Sequence, residues 1–208
     1  MNKARHAFVL AALVAFLAGA AFAASASAAP AWKFNEKALE GVETEVILGG
    51  AEKSGLTVPG LTTTCDNFLY ELSISNSGGT GQGSLTELPL FNCYTNSKFC
   101  TVKSIKAETL PWASHLTNVE SKPYIIIEGV KVGILYAGEE CVLGETLVTV
   151  KGTAGGSISN ETQTATFNAT TFSATKTELK ASGTKSEWFG VFPTEAFQSR
   201  REQAISVS

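Results

Sequence analysis

Histidine and aspartate are almost missing from this chain. It has two histidines, His6 and His115, and one aspartate, Asp66. Charge is thin too: 17% of residues are Asp, Glu, Lys or Arg, where about a quarter is usual. Each shortage excludes a class of function. A zinc or copper centre built from several imidazoles has too few ligands. A Ser-His-acid triad has only His115 as base, because His6 belongs to the leader described below. No Gly-x-Ser-x-Gly elbow accompanies it. The dense Asp/Asn pattern of a calcium-binding EF-hand is lacking. The balance of 16 Lys+Arg against 19 Asp+Glu leaves neither a basic footprint for nucleic acid nor an acidic disordered tail. After residue 30 no apolar run approaches the ~18–20 residues of a membrane-spanning helix.

The first thirty residues carry the clearest signal. Lys3 and Arg5 form a basic start, Ala7 to Ala23 is uncharged and apolar, and Ala24-Ser25-Ala26-Ser27-Ala28 supplies small residues. That order is a secretory signal peptide, with cleavage expected after Ala28 or Ala29. Residues 1–29 are read as the leader and 30–208 as one secreted β domain. Two cations and no acid leave with the leader, so the net charge falls from −3 to −5. Bulk charge therefore argues against anionic partners.

Four cysteines remain: Cys65, Cys93, Cys100 and Cys141. An even count in an exported chain implies disulfides. The preferred pairing is Cys93–Cys100, stapling a hairpin, with Cys65–Cys141. A four-cysteine zinc site is the rival, but 27, 6 and 40 residues separate the cysteines and no Cys-x2-Cys knuckle exists.

The mature texture is β. Val42, Thr44, Val46 and Leu48 alternate, as do Phe68, Tyr70, Leu72 and Ile74, and Val130, Val132, Ile134 and Tyr136. Further strands are expected at 84–93, 99–109, 123–128, 141–151, 157–168, 171–181 and 186–192, with a last short one at 206–208. Pro89 places its strand at an edge or bulge. One helix is expected, Thr194 to Gln203, opened by Pro193. The fold expected is all-β: an antiparallel sandwich or Greek-key barrel of about ten strands, with two disulfides and at most one short C-terminal helix.

No catalytic, cofactor or metal residue stands out, and no cofactor is expected. Gly79-Thr80-Gly81-Gln82-Gly83 lacks the Lys-Ser/Thr ending of a phosphate loop and reads as a turn. Glu139-Glu140 is the densest acidic pair, but neighbours on a strand face opposite ways. Asn160-Glu161-Thr162 and Asn168-Ala169-Thr170 match the glycosylation pattern. The candidate ligand contacts are aromatic: Trp112, Trp188 and Tyr94, which would stack on sugar rings if exposed. Core packing is the favoured reading of each aromatic, since Trp is usually highly buried.

Several segments together resemble a set of secreted proteins from soil actinobacteria of the Solirubrobacter kind, a set without an assigned function. The likeness runs through the Ala-rich leader, Ala31-Trp32-Lys33-Phe34-Asn35, the Gly-rich stretch, Cys93 to Cys100-Thr101-Val102, Leu110-Pro111-Trp112 with Leu116, and Ile205-Ser206-Val207-Ser208. The resemblance implies secretion and an all-β fold.

The functional expectation is a secreted, non-enzymatic extracellular β-protein with a structural or surface-interaction role, released or held at the cell surface. The alternative is a glycan- or cell-wall-binding module using exposed tryptophan. A small secreted hydrolase using His115 or a Glu pair comes third. The sequence names no partner; the classes it leaves open are a cell-surface protein or a glycan, with no nucleic acid and no membrane span expected after leader removal.

Overall fold

The computed structural model describes residues 29–34, 36–40, 45–194, 196–198, 201–203 and 205–208. Apart from Ala29, the expected leader lies outside them. Among the described residues no helix is long and apolar enough to cross a membrane.

The chain is mostly strand. In order come β1 (Trp32–Phe34), β2 (Lys37–Ala38), β3 (Glu45–Val58), β4 (Leu61–Ser75), β5 (Gln82–Glu87), β6 (Leu90–Thr95), β7 (Thr101–Ala107), β8 (Trp112–Val119) and β9 (Lys122–Ala137). Then follow β10 (Leu147–Ser159), β11 (Thr164–Phe167), helix α1 (Ala169–Thr175), β12 (Leu179–Ala181), β13 (Thr184–Pro193), β14 (Ala196–Gln198), β15 (Arg201–Gln203) and β16 (Ile205–Val207). Eleven of these strands form one sheet, antiparallel at every pairing. Its ladders close on themselves in the order β3-β4-β5-β8-β9-β10-β12-β13 and back to β3. A closed ladder leaves no edge along its circuit.

The alternating pattern fixes which side chains face inward. Phe68, Tyr70, Leu72 and Ile74 on β4 are all buried, and so are Val130, Val132, Ile134 and Tyr136 on β9. Trp32, Trp112, Phe167, Trp188 and Phe192 join the same core. Stacked and edge-on aromatic contacts link Trp112, Trp188, Phe167, Phe192 and Phe68. Below Phe68 the inward residues of β4 change parity, to Leu61, Thr63 and Cys65. The change falls at Asp66. Its neighbours across the two ladders are Lys53 and Asn92, which both have left-handed backbones, with φ of 54° and 50°. Asn tolerates that region better than most residues.

The two ends of the chain are clasped together. β1 pairs with β16, Trp32 facing Val207. Buried Asn76 accepts from Trp32 N–H (2.7 Å) and donates to the carbonyls of Trp32 and Leu39. Asn160 exchanges two hydrogen bonds with Val207.

Several expectations need correction. The helix is not at Thr194–Gln203, where the described residues form the hairpin of β14 and β15. It lies at 169–175 and takes up the first half of the segment expected as a strand over 171–181. Asn168 caps it, accepting from Thr171 N–H, while the Thr171 hydroxyl accepts from Asn168 N–H. Local side-chain bonds of this kind outweigh the β preference of Thr. Strand 141–151 begins only at Leu147, and 157–168 breaks at residues 160–163. Residues 123–128 and 130–137 are one strand, bent at Gly129. The expected strand at 42–48 falls partly outside the described residues, which resume at Glu45.

Candidate functional site

The structure moves two of the three candidate contacts into the core. Trp112 and Trp188 are 1% and 3% exposed. Trp112 Nε1–H donates to the Glu108 carbonyl (2.8 Å) and Trp188 Nε1–H to Ser54 Oγ (2.8 Å). Their places on β8 and β13 face inward, and each polar atom has a partner, so neither indole offers a stacking surface. Tyr94 is 46% exposed.

The disulfides also differ from the preferred pairing. Cys65 bonds Cys93, and Cys100 bonds Cys141. The register explains the first, because Cys65 and Cys93 stand directly opposite on β4 and β6. The second follows from β7 running beside β9. Thr101 faces Ala137, and the loop after Ala137 turns back over Cys100. Gly138 permits this close approach: a Cβ there would lie 2.0 Å from the Phe99 carbonyl oxygen. A Cys93–Cys100 staple needs a β6–β7 hairpin, and no such ladder forms.

That missing ladder is the most informative feature of the fold. Between β4 and β9 the chain runs two pairs of strands. One pair, β5 and β8, is laddered from Gln82–His115 to Leu85–Trp112. The other pair, β6 and β7, is not. β6 pairs only with β4, and β7 only with β9, among the described residues. Local backbone features oppose a ladder on both sides. Asn92 is left-handed on β6, and β7 carries a register shift between Val102 and Ser104. Bulges and irregular residues of this kind protect strand edges from pairing.

The result is a seam. A groove of about 380 Å³ lies along it, lined by Leu88, Pro89, Leu90, Ile105, Ala107 and Leu110, with Thr86, Glu87 and Lys106 at the rim. Large apolar side chains also stand exposed on β4, on β6 and in the turn between β6 and β7. Phe91 (45%) and Tyr94 are on β6, and Phe99 (46%) is in the turn to β7. Leu69 (53%) lies on β4, two residues beyond Asn67, which faces Phe91. Lys98 sits over the Phe99 ring at 4.8 Å. Both lips are tied down. Cys65–Cys93 fastens β6 to β4. Cys100–Cys141 fastens the start of β7 to the 138–146 loop, as does the 2.6 Å Lys103–Glu145 ion pair, which holds the Glu145 carboxyl below its usual range. The single Thr95 hydroxyl proton is shared between the carbonyls of Ser97 and Cys100, both within hydrogen-bond reach, and shapes the turn.

The other sequence candidates do not converge. His115 lies on the outer face of β8, 3.5 Å from Glu128. Glu139 and Glu140 are exposed turn residues. Among the described residues no three His, Cys, Asp or Glu side chains come together as metal ligands. The internal cavity against Trp32, Tyr70, Phe167 and Phe192 is about 30 Å³, far below the several hundred Å³ of a small-molecule pocket.

Sequence reasoning missed Phe91, Phe99 and Leu69. Leu69 stands on the face opposite Phe68 and Tyr70 in the same alternation, whereas Phe91 and Phe99 depend on the irregular course of β6 and its turn. Comparison with protein-family models, curated proteins and solved structures finds no match to the chain.

Proposed function

We propose that this is an exported, non-enzymatic β-barrel protein that works by binding a partner at the β6–β7 seam. The observation that carries the reading is the seam itself. Exposed Phe91 and Tyr94 stand on β6 and Phe99 in the turn after it, the groove at Leu90 and Ile105 lies between the same two strands, and two disulfides fasten those strands to their neighbours. Rigid aromatic side chains give large contact area at low entropic cost. Several large exposed apolar side chains on one strand and its turn, in a charge-poor chain, point to an interaction surface. Four half-cystines joined in two bridges accord with an oxidising compartment. The segments shared with the actinobacterial secreted proteins agree with export, and we place the chain with them on that resemblance.

The non-enzymatic part of the proposal draws on His115. Its charged neighbour is Glu128, on a solvent-facing strand, without the ordered nucleophile–base–orienter geometry of a triad. The test is to incubate purified, oxidised residues 30–208 with peptidoglycan, chitin, cellulose and the producer's own cell wall. Pelleted protein and released soluble products are both measured. Retention on at least one material without product release is expected. Product release that His115→Ala or Glu128→Gln abolishes would overturn the proposal in favour of a hydrolase.

A further inference from the structure

Four lysines stand in one row across the outer face of the barrel. Lys131 on β9 faces Lys151 on β10, Lys151 faces Lys180 on β12, and Lys180 faces Lys185 on β13. Directly opposed residues share a face of the sheet, and like charges so placed are destabilising. The row is about 15 Å long, three strand spacings. It begins beside Glu108, just past β7, so its groove at Thr109 adjoins the seam groove at Ala107 and Leu110; Phe91 and Tyr94 line neither groove. Three of the lysines have their own carboxylate at 2.9 Å: Lys131 with Glu108, Lys180 with Glu178, and Lys185 with Glu187. Lys151, in the middle, is exposed and in no ion pair among the described residues. It opens onto a groove of about 550 Å³ shared with Thr109, Gly129, Gly152, Lys131 and Lys180. Gly152 has φ of 144°, where a Cβ would meet the Glu178 carbonyl oxygen at 2.2 Å. A side chain there would push β10 away from the segment entering β12.

We propose that this row is a second binding site, for a linear acidic polysaccharide, with Lys151 as the seat of one sugar carboxylate. The chemistry of the row fits that class. Ammonium groups take up carboxylates, while the neighbouring Glu108, Glu178 and Glu187 accept hydrogen bonds from sugar hydroxyls. Lys180–Glu178 is exposed at both members and the other two pairs are half-exposed, and solvent-accessible pairs are weak enough for an incoming carboxylate to exchange with them. No aromatic ring lines the groove, which leaves no stacking platform for nucleic-acid bases. The net acidity of the chain hides the site. Lys131, Lys151 and Lys180 are far apart in sequence, and only the ladder register aligns them.

The probes are polygalacturonate, neutral dextran and inorganic polyphosphate, each immobilised and offered to the oxidised protein at low salt. The wild type is expected on polygalacturonate, not on dextran, and to elute as salt screens the contact. Lys151→Gln is expected to weaken retention roughly tenfold, the effect of one lost charge-assisted contact. It should also hold or raise the melting temperature, because it relieves repulsion from Lys131 and Lys180. Lys122→Gln, at the exposed β8–β9 turn, should leave retention unchanged. Equal retention of the Lys151 and Lys122 variants would overturn the proposal. So would equal binding to dextran, or stronger binding to polyphosphate than to polygalacturonate. Substitutions at Phe91 and Tyr94 should not change polygalacturonate retention, so this site and the seam succeed or fail separately.

Discussion

Tyr136 and Thr63 meet inside the barrel, hydroxyl to hydroxyl at 2.6 Å, although 73 residues separate them in the chain. The bond joins β9 to β4, the two strands that carry β7 and β6, and so braces the seam from behind. Burial raises the Tyr136 phenol above its ordinary pKa, and the Thr63 hydrogen bond offsets part of that rise. Tyr136→Phe leaves the Thr63 hydroxyl unpaired in the core and should cost about 1–3 kcal/mol, read as a lower urea midpoint. The pH dependence follows from the sign of the shift. Above pH ~10 the unfolded chain loses the phenolic proton and the native state keeps it, so stability falls as pH rises. The contribution is fully present below that pH. Tyr136→Phe should show a shallower alkaline loss of stability than wild type; identical slopes would remove Tyr136 as the cause.

The disulfide pairing has its own test. A non-reducing peptide map should give one peptide pair holding Cys65 and Cys93 and another holding Cys100 and Cys141. The bridges span 28 and 41 residues of sequence, so the chain-entropy model gives about 3.5–4 kcal/mol for each. Replacing Cys65 and Cys93 together by Ala should lower the denaturation midpoint accordingly. A fragment holding both Cys93 and Cys100 would contradict the described β6–β7 geometry.

The tryptophans should behave as core residues. Indole emission should be blue-shifted and poorly quenched by acrylamide in the native state, and exposed on unfolding. Trp112→Ala should cost about 3–5 kcal/mol, as for a large aromatic removed from a packed interior. Full quenching of the native protein would place the indoles outside.

Asn76 is the hinge of the terminal clasp. Asn76→Ala removes three hydrogen bonds to the main chain of Trp32 and Leu39 and leaves buried polar groups unpaired. A loss of about 2–3 kcal/mol is expected. Faster hydrogen exchange should concentrate in β1 and β16, with the β9–β10 ladder unchanged. Uniform loss of protection would show that the clasp and the barrel unfold as one unit.

The sequence carried the strands better than the site. Period-two alternation located β4 and β9 because their inward residues, Phe68 to Ile74 and Val130 to Tyr136, keep step with the pleat. Thr171 and Asn168 misled the reading of α1, since a capping box competes with the β preference of a Thr-rich segment. The cysteine count implied bridges, but the pairing rests on register, which spacing does not encode. Tyr94 is exposed, as its reading as a contact requires. Core packing is the favoured sequence reading of Trp112 and Trp188, and the inward faces of β8 and β13 bear it out against the ligand-contact reading. The lysine row was invisible, because its members come together only across three ladders.

The most direct measurement of the seam's role compares two variants on the material that retains the wild type best. One is Phe91→Ser with Tyr94→Ser, which changes the exposed β6 face. The other is Val191→Ser, which removes an equally exposed apolar residue on β13. Circular dichroism and thermal melting establish that both are folded. The account predicts that the double variant loses most of its retention and that the Val191 variant keeps it. Equal retention of the two folded variants would contradict binding at the seam.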